Sequence, residues 1–414
     1  TTRSIVDSGI ALKPFAPVNL RQAVGSAGQY SVTWDRRSRL SYRWPSTSSL
    51  PLGENDEEYS VELLNLSDTV IETQTVTAAS VTFSAATRTS TTLAEGIGWL
   101  AVVGGSYYGI HAEGMGLRYV LQINSAGVVT ASSPALADTA WCLHASGTDL
   151  YVSTDTLNSG TPATILSSEI YRLSTSDITT LAATYTMPSD GDCHGLVIHG
   201  GSLWAPGYVS GNLHQLNATT LASIGTTAIE AGMWGIASDG TWLFITNADT
   251  GDVFAYLPGT GEQWRVSPAS SATDIIVTGA KVFVACGDRV VVLSAVDGST
   301  VADHTATMGG SAFASRIVAF GSYVAFLRTN GAIAFISTST GAIAFEATPT
   351  AAGVTYLAGA DGSTLWTIAS QTLSFTDYEG WGYTLETSLA GYTVRVYQLS
   401  ATVGRGYPAE ITLT

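Results

Sequence analysis

The sequence of 414 residues is poor in charge and in cysteine, and it contains no long apolar run. Charged residues make up 12% and hydrophobic residues 45%, which excludes a disordered chain and favours a large buried core. The three cysteines, Cys142, Cys193 and Cys286, are too few for a disulfide framework. No apolar run approaches transmembrane length and no signal peptide is visible, so we expect no insertion into a membrane. The first residue is Thr1 and not Met, which fits a processed product or a piece of a longer polypeptide.

Basic residues are also scarce, since 17 Lys and Arg face 33 Asp and Glu and the formal charge is −16. Residues 1–87 with 388–414 hold 9 basic and 10 acidic residues, a net charge of −1. Residues 88–387 hold 8 basic and 23 acidic residues, a net charge of −15. This asymmetry predicts two domains with separate surfaces. An acidic surface repels phosphate, which weighs against nucleic acid and anionic lipid headgroups as partners.

Helical periodicity is absent as well, and short strands with period-two alternation take its place. The stretch YSVTWDRR, which contains Trp34, alternates apolar and polar residues, and EEYSVELLN repeats the pattern. The strand that should pair next appears only at Tyr392, as YTVRVYQL, followed by a turn and AEITL. Seven short strands with one apolar face pack as two sheets. We therefore predict a discontinuous sandwich made of residues 1–87 plus 388–414.

Joined together, these pieces resemble a fibronectin type III domain. The resemblance is carried by Trp34, by the strand YTVRVYQLSA with Tyr392 at its start, and by the ending GRGYPAEITL. It implies that the indole fills the core and that the tyrosine bonds back to the chain at a corner. The stretches SGIALKPFAPVNLR, WDRRSR, LPLGE followed by EEYSVE, and VRVYQLSATVGRGYPAEITL are similar to the C-terminal portion of the large tail-tip protein of gene transfer agents and related siphophages. That resemblance covers only the two flanks, and it implies a place in the baseplate hub of a tail.

Between the flanks, one pattern recurs about every 40 residues, as in a β-propeller with about four short strands in each repeat. A glycine turn and a strand with a bulky apolar triplet repeat in GWLAVV, GTDLYVS, GGSLWAP, DGTWLFIT, GAKVFVA, GSYVAFL and DGSTLWTI. The first apolar residues of the triplets, the anchors, are Leu100, Leu150, Leu203, Leu243, Val282, Val324 and Leu365. We predict an all-β fold, a fibronectin type III-like sandwich interrupted at residues 88–387 by an inserted β-propeller of about seven blades. A parallel β-helix is the structural alternative.

The repeat also predicts a ligand site. Nine residues before each anchor the innermost strand of a blade should begin, and four of these positions hold Trp141, His194, Trp234 and Tyr356. In a propeller they surround the axis at one height, where aromatic rings can stack against sugar faces. The alternative is that the four rings plug the axis or pack between blades.

No catalytic group and no metal site is predicted. The spacings of Cys142 with His144 and of Cys193 with His194 match no recognised zinc site. The acidic turns NADTGD and SDGD supply the oxygen atoms that calcium takes but lack the distal glutamate of a calcium loop, so calcium is the one cofactor that the sequence suggests, and only weakly. A nucleophile turn and a convergent arginine set are both missing, so we expect a protein that is not an enzyme.

The sole concentration of positive charge is WDRRSRLSYRW, with Arg36, Arg37, Arg39 and Arg43. It predicts either a salt network with the acidic run ENDEEY or a docking surface for other tail-tip and baseplate proteins. The function implied is that of a virion tail-tip protein whose propeller recognises a host-surface glycan or an outer-membrane protein during adsorption, helped by many copies on one particle. A tail-borne polysaccharide depolymerase or glycosidase and a purely structural decoration are the alternatives.

Overall fold

The protein is all-β, as predicted. A computed structural model describes residues 14–24, 29–35, 57–64, 68, 70–84, 87–93, 97–113, 117–124, 128–136, 139–157, 165–188, 192–305, 316–328, 331–347, 354–360, 364–370, 378–385, 391–400 and 404–414. The regular elements in these ranges are β-strands, and none of the described elements is a helix with the length and apolar character needed to cross a bilayer. The chain divides into two compact units, Thr1–Arg88 with Leu385–Thr414 (unit 1) and Thr89–Thr384 (unit 2).

The described strands of unit 1 form two sheets. The three-stranded sheet contains, in spatial order, β1 (Val18–Val24), β2 (Gln29–Asp35) and β5 (Ser80–Ser84). The four-stranded sheet contains β35 (Gly404–Thr412), β34 (Thr393–Ser400), β3 (Tyr59–Leu64) and β4 (Val70–Val76). Strand β34 pairs antiparallel with β3, from Tyr59 opposite Gln398 to Leu64 opposite Thr393. Residues from the two ends of the chain therefore share one sheet.

Side chains of both sheets form one apolar core. Trp34 of β2 is buried and meets the ring of Tyr59 of β3 edge-on, with 5.1 Å between ring centroids. Val394 and Val396 of β34 are fully buried in the same cluster, and Tyr392 packs against it. Every second residue of β34 is buried, as expected for a strand with one face on a core.

Strand β3 departs from this one-sided pattern. All six of its residues are buried, although the alternation in EEYSVELLN predicts one polar face. On that face the carboxylate of Glu62 accepts a hydrogen bond from Arg405 and lies 3.9 Å from Arg395. The ion pair offsets the cost of burying a carboxylate, so a polar residue at this position does not mark an exposed face.

Seven further four-stranded sheets are described in residues 87–385, and their described pairings are antiparallel. The first three, each in spatial order, are β10 (Val129–Ser132), β9 (Leu117–Ile123), β8 (Ser106–Glu113) and β7 (Ile97–Val103); β11 (Thr139–Ser146), β12 (Asp149–Leu157), β13 (Ile165–Ser174) and β14 (Asp177–Met187); and β15 (Val197–His199), β16 (Ser202–Pro206), β17 (Asn212–Asn217) and β18 (Ser223–Ala228). The next three are β19 (Met233–Ser238), β20 (Leu243–Asn247), β21 (Val253–Leu257) and β22 (Gly261–Val266); β23 (Asp274–Thr278), β24 (Lys281–Cys286), β25 (Arg289–Ser294) and β26 (Thr300–His304); and β27 (Ile317–Phe320), β28 (Tyr323–Leu327), β29 (Ile333–Ser337) and β30 (Ile343–Ala347). The last is β31 (Val354–Ala360), β32 (Thr364–Ser370), β33 (Tyr378–Leu385) and β6 (Thr87–Leu93).

Each of these sheets contacts its neighbours in chain order. The first strands β15, β19, β23, β27 and β31 contact one another in succession, and β7 contacts both β11 and β31. The sheets that begin with β11 and β15 share an apolar core that contains Tyr151 and Leu203. Strands β20, β21, β24 and β25 are buried along nearly their whole length, as expected for central strands covered on both faces. The parallel β-helix alternative is wrong, since the described ladders are antiparallel.

The repeat alignment holds for six units and is wrong for the first. Leu150 and the five later anchors lie on the second strand of their sheets, but Leu100 lies on β7, a first strand. The equivalent residue is Tyr108 of β8, because GSYYGI matches GSYVAFL around Val324. Tyr108 lies 42 residues before Leu150, whereas Leu100 lies 50 residues before it. The correction makes the first unit regular and shifts its candidate site residue.

Gly251, in the turn between β20 and β21, should not tolerate a side chain. Its φ is +76°, and an added Cβ would stand 1.7 Å from the carbonyl oxygen of Ala269 in the connection to the next sheet. We expect Gly251→Ala to lower the free energy of unfolding by about 3 kcal/mol, through left-handed strain and a displaced backbone. Gly259 is the matched control, with φ +81° and no atom within 4 Å of an added Cβ, so Gly259→Ala should cost only about 1 kcal/mol. Equal losses in urea unfolding would contradict the close approach.

Candidate functional site

Aromatic residues of four successive sheets lie together at their first strands. Trp141 is on β11, His194 precedes β15, and Trp234 is on β19, so three of the four predicted site residues are neighbours. The fourth, Tyr356, is on β31, and its side chain lies outside the described part of the chain. Trp99 on β7 joins them and was missed from the sequence. Counted from the corrected anchor, it occupies the same position nine residues upstream.

The imidazole of His194 lies between two indoles. It stacks on Trp234 with 3.4 Å between ring centroids and 5° between planes, and it meets Trp141 at 4.4 Å and 65°. Tyr208 meets the ring of Trp234 edge-on at 5.4 Å. The rings thus pack against one another, which is the alternative that the sequence left open. They also leave space beside them.

A cavity of about 180 Å³ opens beside this group. Its wall includes the three indoles, the imidazole and two charged side chains, from Trp99, Trp141, Trp234, His194, Asp274 and Arg316. Pockets that enclose drug-sized ligands are larger, roughly 300–1,000 Å³, so this one suits a single small ring. Asp274 is the one carboxylate among the described residues of the wall.

Asp274 and Arg316 hold opposite charges in the wall. The Asp274 carboxylate accepts the backbone N–H of Ile275 at 2.9 Å and that of Ile317 at 3.0 Å, and the second bond joins β23 to β27. Burial raises the pKa of Asp274, and the charge of Arg316 opposes that rise. The Arg316 guanidinium lies 5.4 Å from the ring centre of Trp99, within reach of a cation–π interaction.

A buried polar network fixes two of the rings from behind. The indole N–H of Trp141 and the hydroxyl of Ser168 both donate to the carboxylate of Asp155, which is fully buried. Ser168 also accepts the backbone N–H of Asp192 at 2.5 Å. Asp192 Oδ1 lies 2.6 Å from Nε2 of His194, a close polar contact without regular hydrogen-bond angles. Trp141 and His194 are therefore positioned by two neighbouring carboxyl groups.

The network has unusual proton affinities. Burial raises the pKa of Asp155 to about 7, against the hydrogen bond from Ser168 and with the support of the neighbouring Asp192. Burial lowers the pKa of His194, although Asp192 favours its charged form. Burial thus favours the neutral form of the imidazole, and near neutral pH Asp155 holds a proton in part of the population.

The cysteines and histidines do not form a metal centre in the part of the chain that the structure describes. Burial raises the pKa of the Cys142 thiol to about 11 and that of Cys193 well above its ordinary value. Both groups are therefore neutral thiols and weak metal ligands at neutral pH.

Oxygen atoms of the acidic turn Asn247–Asp252 already have partners within the protein. The Asn247 side chain accepts the backbone N–H of Asp249 at 3.0 Å, and Asp249 accepts the hydroxyl of Tyr208 at 2.7 Å. Asp252 pairs with Arg265 at 2.7 Å. These bonds stabilise the turn without an ion, as asparagine and aspartate do in ordinary turns.

Two predicted features lie outside the described residues. They are the basic cluster of Arg36, Arg37, Arg39 and Arg43 and the first three residues of the turn SDGD, 189–191. The docking surface and the ion site that these residues suggest stay predictions.

Solved structures of low sequence identity share the fold of the repeated sheets. U3-55K is 12% identical with a TM-score of 0.55, and the match covers 72% of this chain and 98% of that one. The WD40 repeats of RRP9 are 12% identical with a TM-score of 0.55, covering 72% and 97%. A β-propeller domain of Myceliophteria thermophila is 11% identical with a TM-score of 0.53, covering 70% and 97%. These likenesses show a propeller type of fold and nothing of function. No protein-family profile and no curated protein matches the sequence.

Proposed function

We propose that unit 2 is a closed seven-bladed β-propeller that binds a ligand through the cavity at its first strands. Closure is supported by the contact between β31 of the last sheet and β7 of the first. It is also supported by β6, which precedes the first sheet in the chain and yet belongs to the sheet of β31, β32 and β33. In a closed propeller, a strand from the start of the chain completes the last sheet. This pairing holds the ring shut and leaves no open sheet edge between the first and last blades.

In this proposal, unit 1 is a fibronectin type III-like sandwich of a virion tail tip. The support for the sandwich is the single core that contains Trp34 and lies against Tyr392, the two residues that carry the resemblance. The place in a tail tip, among other tail-tip and baseplate proteins, rests on the resemblance of the flanks alone. Unit 2 then recognises a host-surface glycan during adsorption.

The observation that carries ligand binding is the wall of three indoles with one carboxylate and one guanidinium. Indole faces stack on the apolar face of a sugar ring, and the charged groups bond to its hydroxyls. A cavity of about 180 Å³ suits one sugar ring better than a loop of an outer-membrane protein. A glycan is therefore the favoured ligand.

Binding is better supported than hydrolysis. Glycoside hydrolysis usually takes two carboxyl groups that flank the bond, and the described wall offers only Asp274. Asp155, the carboxyl group with a raised pKa, is fully buried behind Trp141. A depolymerase would release reducing sugar from host surface material, which we do not expect here.

Loss of one indole tests the proposal. We expect Trp99→Ala to weaken binding to the glycans that the intact protein selects on a glycan array by about tenfold or more, because one stacking face is lost. Trp242→Ala is the matched control, since Trp242 is also partly buried but packs in the core between two later sheets. Equal binding by the Trp99 variant and the intact protein would overturn the proposal, and so would an intact protein that selects no glycan.

A further inference from the structure

The electrostatics of the cavity, and not only its shape, select a ligand. Among the described residues, the charged or titratable groups that line the cavity or lie directly behind its wall include Asp274, Arg316, His194, Cys142, Asp155 and Asp192. Arg316 and Asp274 are opposite charges that cancel to first order. The Cys142 thiol is neutral, because burial raises its pKa to about 11. What remains is the carboxyl pair behind the rings.

With that pair, the described surroundings of the cavity contain three carboxyl groups and one guanidinium. Asp155 accepts the indole N–H of Trp141, and Asp192 Oδ1 lies 2.6 Å from Nε2 of His194, so the negative charge of the pair lies next to rings of the wall. His194 does not cancel it, since burial disfavours the charged imidazole. Three indoles also line the cavity, and the face of an aromatic ring is the negative side of its quadrupole. A small anion entering here would lose its water and meet charge of its own sign.

Asp274 can still accept a hydrogen bond from a ligand. An ionised carboxylate has about four acceptor sites, two on each oxygen. The backbone N–H of Ile275 occupies one site on one oxygen, and the backbone N–H of Ile317 occupies one site on the other. The guanidinium of Arg316 is drawn toward the face of Trp99. Because Asp274 lines the cavity, a donor group on a ligand in the cavity can approach its carboxylate.

We infer that the cavity takes a single sugar ring with a free, positively charged amino group. This inference rests on the proposed function, in which the ligand is a sugar. It adds that the sugar carries a positive charge. The apolar face of the ring packs on the indoles, and the ammonium group bonds to Asp274 within the field of the Asp155–Asp192 pair. An ammonium group among indole faces also gains a cation–π attraction that a neutral amide lacks.

The test compares four sugars on the full chain. Glucosamine, N-acetylglucosamine, glucose and glucuronate are titrated at pH 6.5, with tryptophan fluorescence and calorimetry as readouts. We expect glucosamine to bind about tenfold more tightly than N-acetylglucosamine, and glucuronate to bind most weakly. Equal affinity for glucosamine and N-acetylglucosamine, or a preference for glucuronate, overturns the inference and leaves glycan binding intact. Binding of none of the four overturns both.

Substitutions of the charged residues in the wall test whether charge causes the preference for glucosamine. Asp274→Asn should reduce the glucosamine preference to about one, and Asp239→Asn, at an exposed turn, should leave that preference unchanged. If Asp274→Asn fails to fold, Arg316→Gln serves instead. It removes a positive charge from the wall, so the preference for glucosamine should rise severalfold. A preference that is unchanged in a folded Asp274 variant, or that falls in the Arg316 variant, overturns the inference.

Discussion

Replacing Thr89–Thr384 by a short glycine–serine turn should leave a protein that still folds and has lost all glycan binding. The expectation follows from the core of unit 1, whose members come from β2, β3, β5, β34 and the end of the chain and from no strand of unit 2. Strand β34 supplies the central pairing to β3. A shorter connection also lowers the entropy cost of bringing the two ends together. Cooperative thermal unfolding followed by circular dichroism measures the first part, and the glycan array the second.

A buried charge in β34 shows whether the two ends depend on each other. Val396 is fully buried, so Val396→Asp in the shortened protein should cost at least about 4 kcal/mol, enough to unfold a domain of ordinary stability. Thr393→Asp is the matched control on the same strand, because Thr393 is only half-buried. A shortened protein that is unfolded with Val396 intact would show that unit 1 depends on unit 2. Retained glycan binding would show that the ligand site lies outside unit 2.

The strands and their repetition could be predicted because they depend on local pattern. Period-two alternation marks β2 and β34, and a glycine turn before an apolar triplet marks the second strand of most sheets of unit 2. The pattern fails where two stretches look alike. GWLAVV has the triplet but belongs to a first strand, while GSYYGI, with Tyr107 and Tyr108, has the turn of a second strand. Because the anchor of the first unit was placed at Leu100 and not at Tyr108, the position nine residues upstream did not fall on Trp99.

The candidate site was only partly predictable, because its geometry comes from contacts between sheets. Repeat spacing identified Trp141, His194 and Trp234 as equivalent positions, and the structure brings their rings together. The repeat spacing does not identify Arg316, which precedes β27, as a site residue. The same holds for Asp155, whose role depends on bonds to residues before and after it in the chain. Buried polar networks of this kind are visible only when the sheets are in place.

Asp155→Asn should change how the stability of unit 2 depends on pH. Burial raises the folded-state pKa of Asp155 from 3.8 to about 7. The folded state therefore holds this proton more tightly than the unfolded state, and the contribution is complete below pH 4 and lost as the pH rises to 7. Three pKa units correspond to about 4 kcal/mol, so stability of the variant minus that of the intact protein should rise by about 4 kcal/mol from pH 4 to 8. Urea unfolding at each pH gives the difference.

The difference curve separates this effect from lost hydrogen bonds. The side-chain amide introduced by Asp155→Asn would offer one acceptor oxygen to the two donors of Trp141 and Ser168, which lowers stability by an amount that does not vary with pH. His144→Gln provides a control of opposite sign, because burial lowers the pKa of His144 to about 4. The intact protein loses that contribution as the pH falls below 6.5, so the His144 variant should gain relative stability toward low pH, by up to about 3 kcal/mol. If the stability difference for Asp155→Asn is flat with pH, or changes in the same direction as that for His144→Gln, Asp155 is ionised in the folded protein from pH 4 to 8. The folded state then does not bind a proton at Asp155 behind the cavity wall.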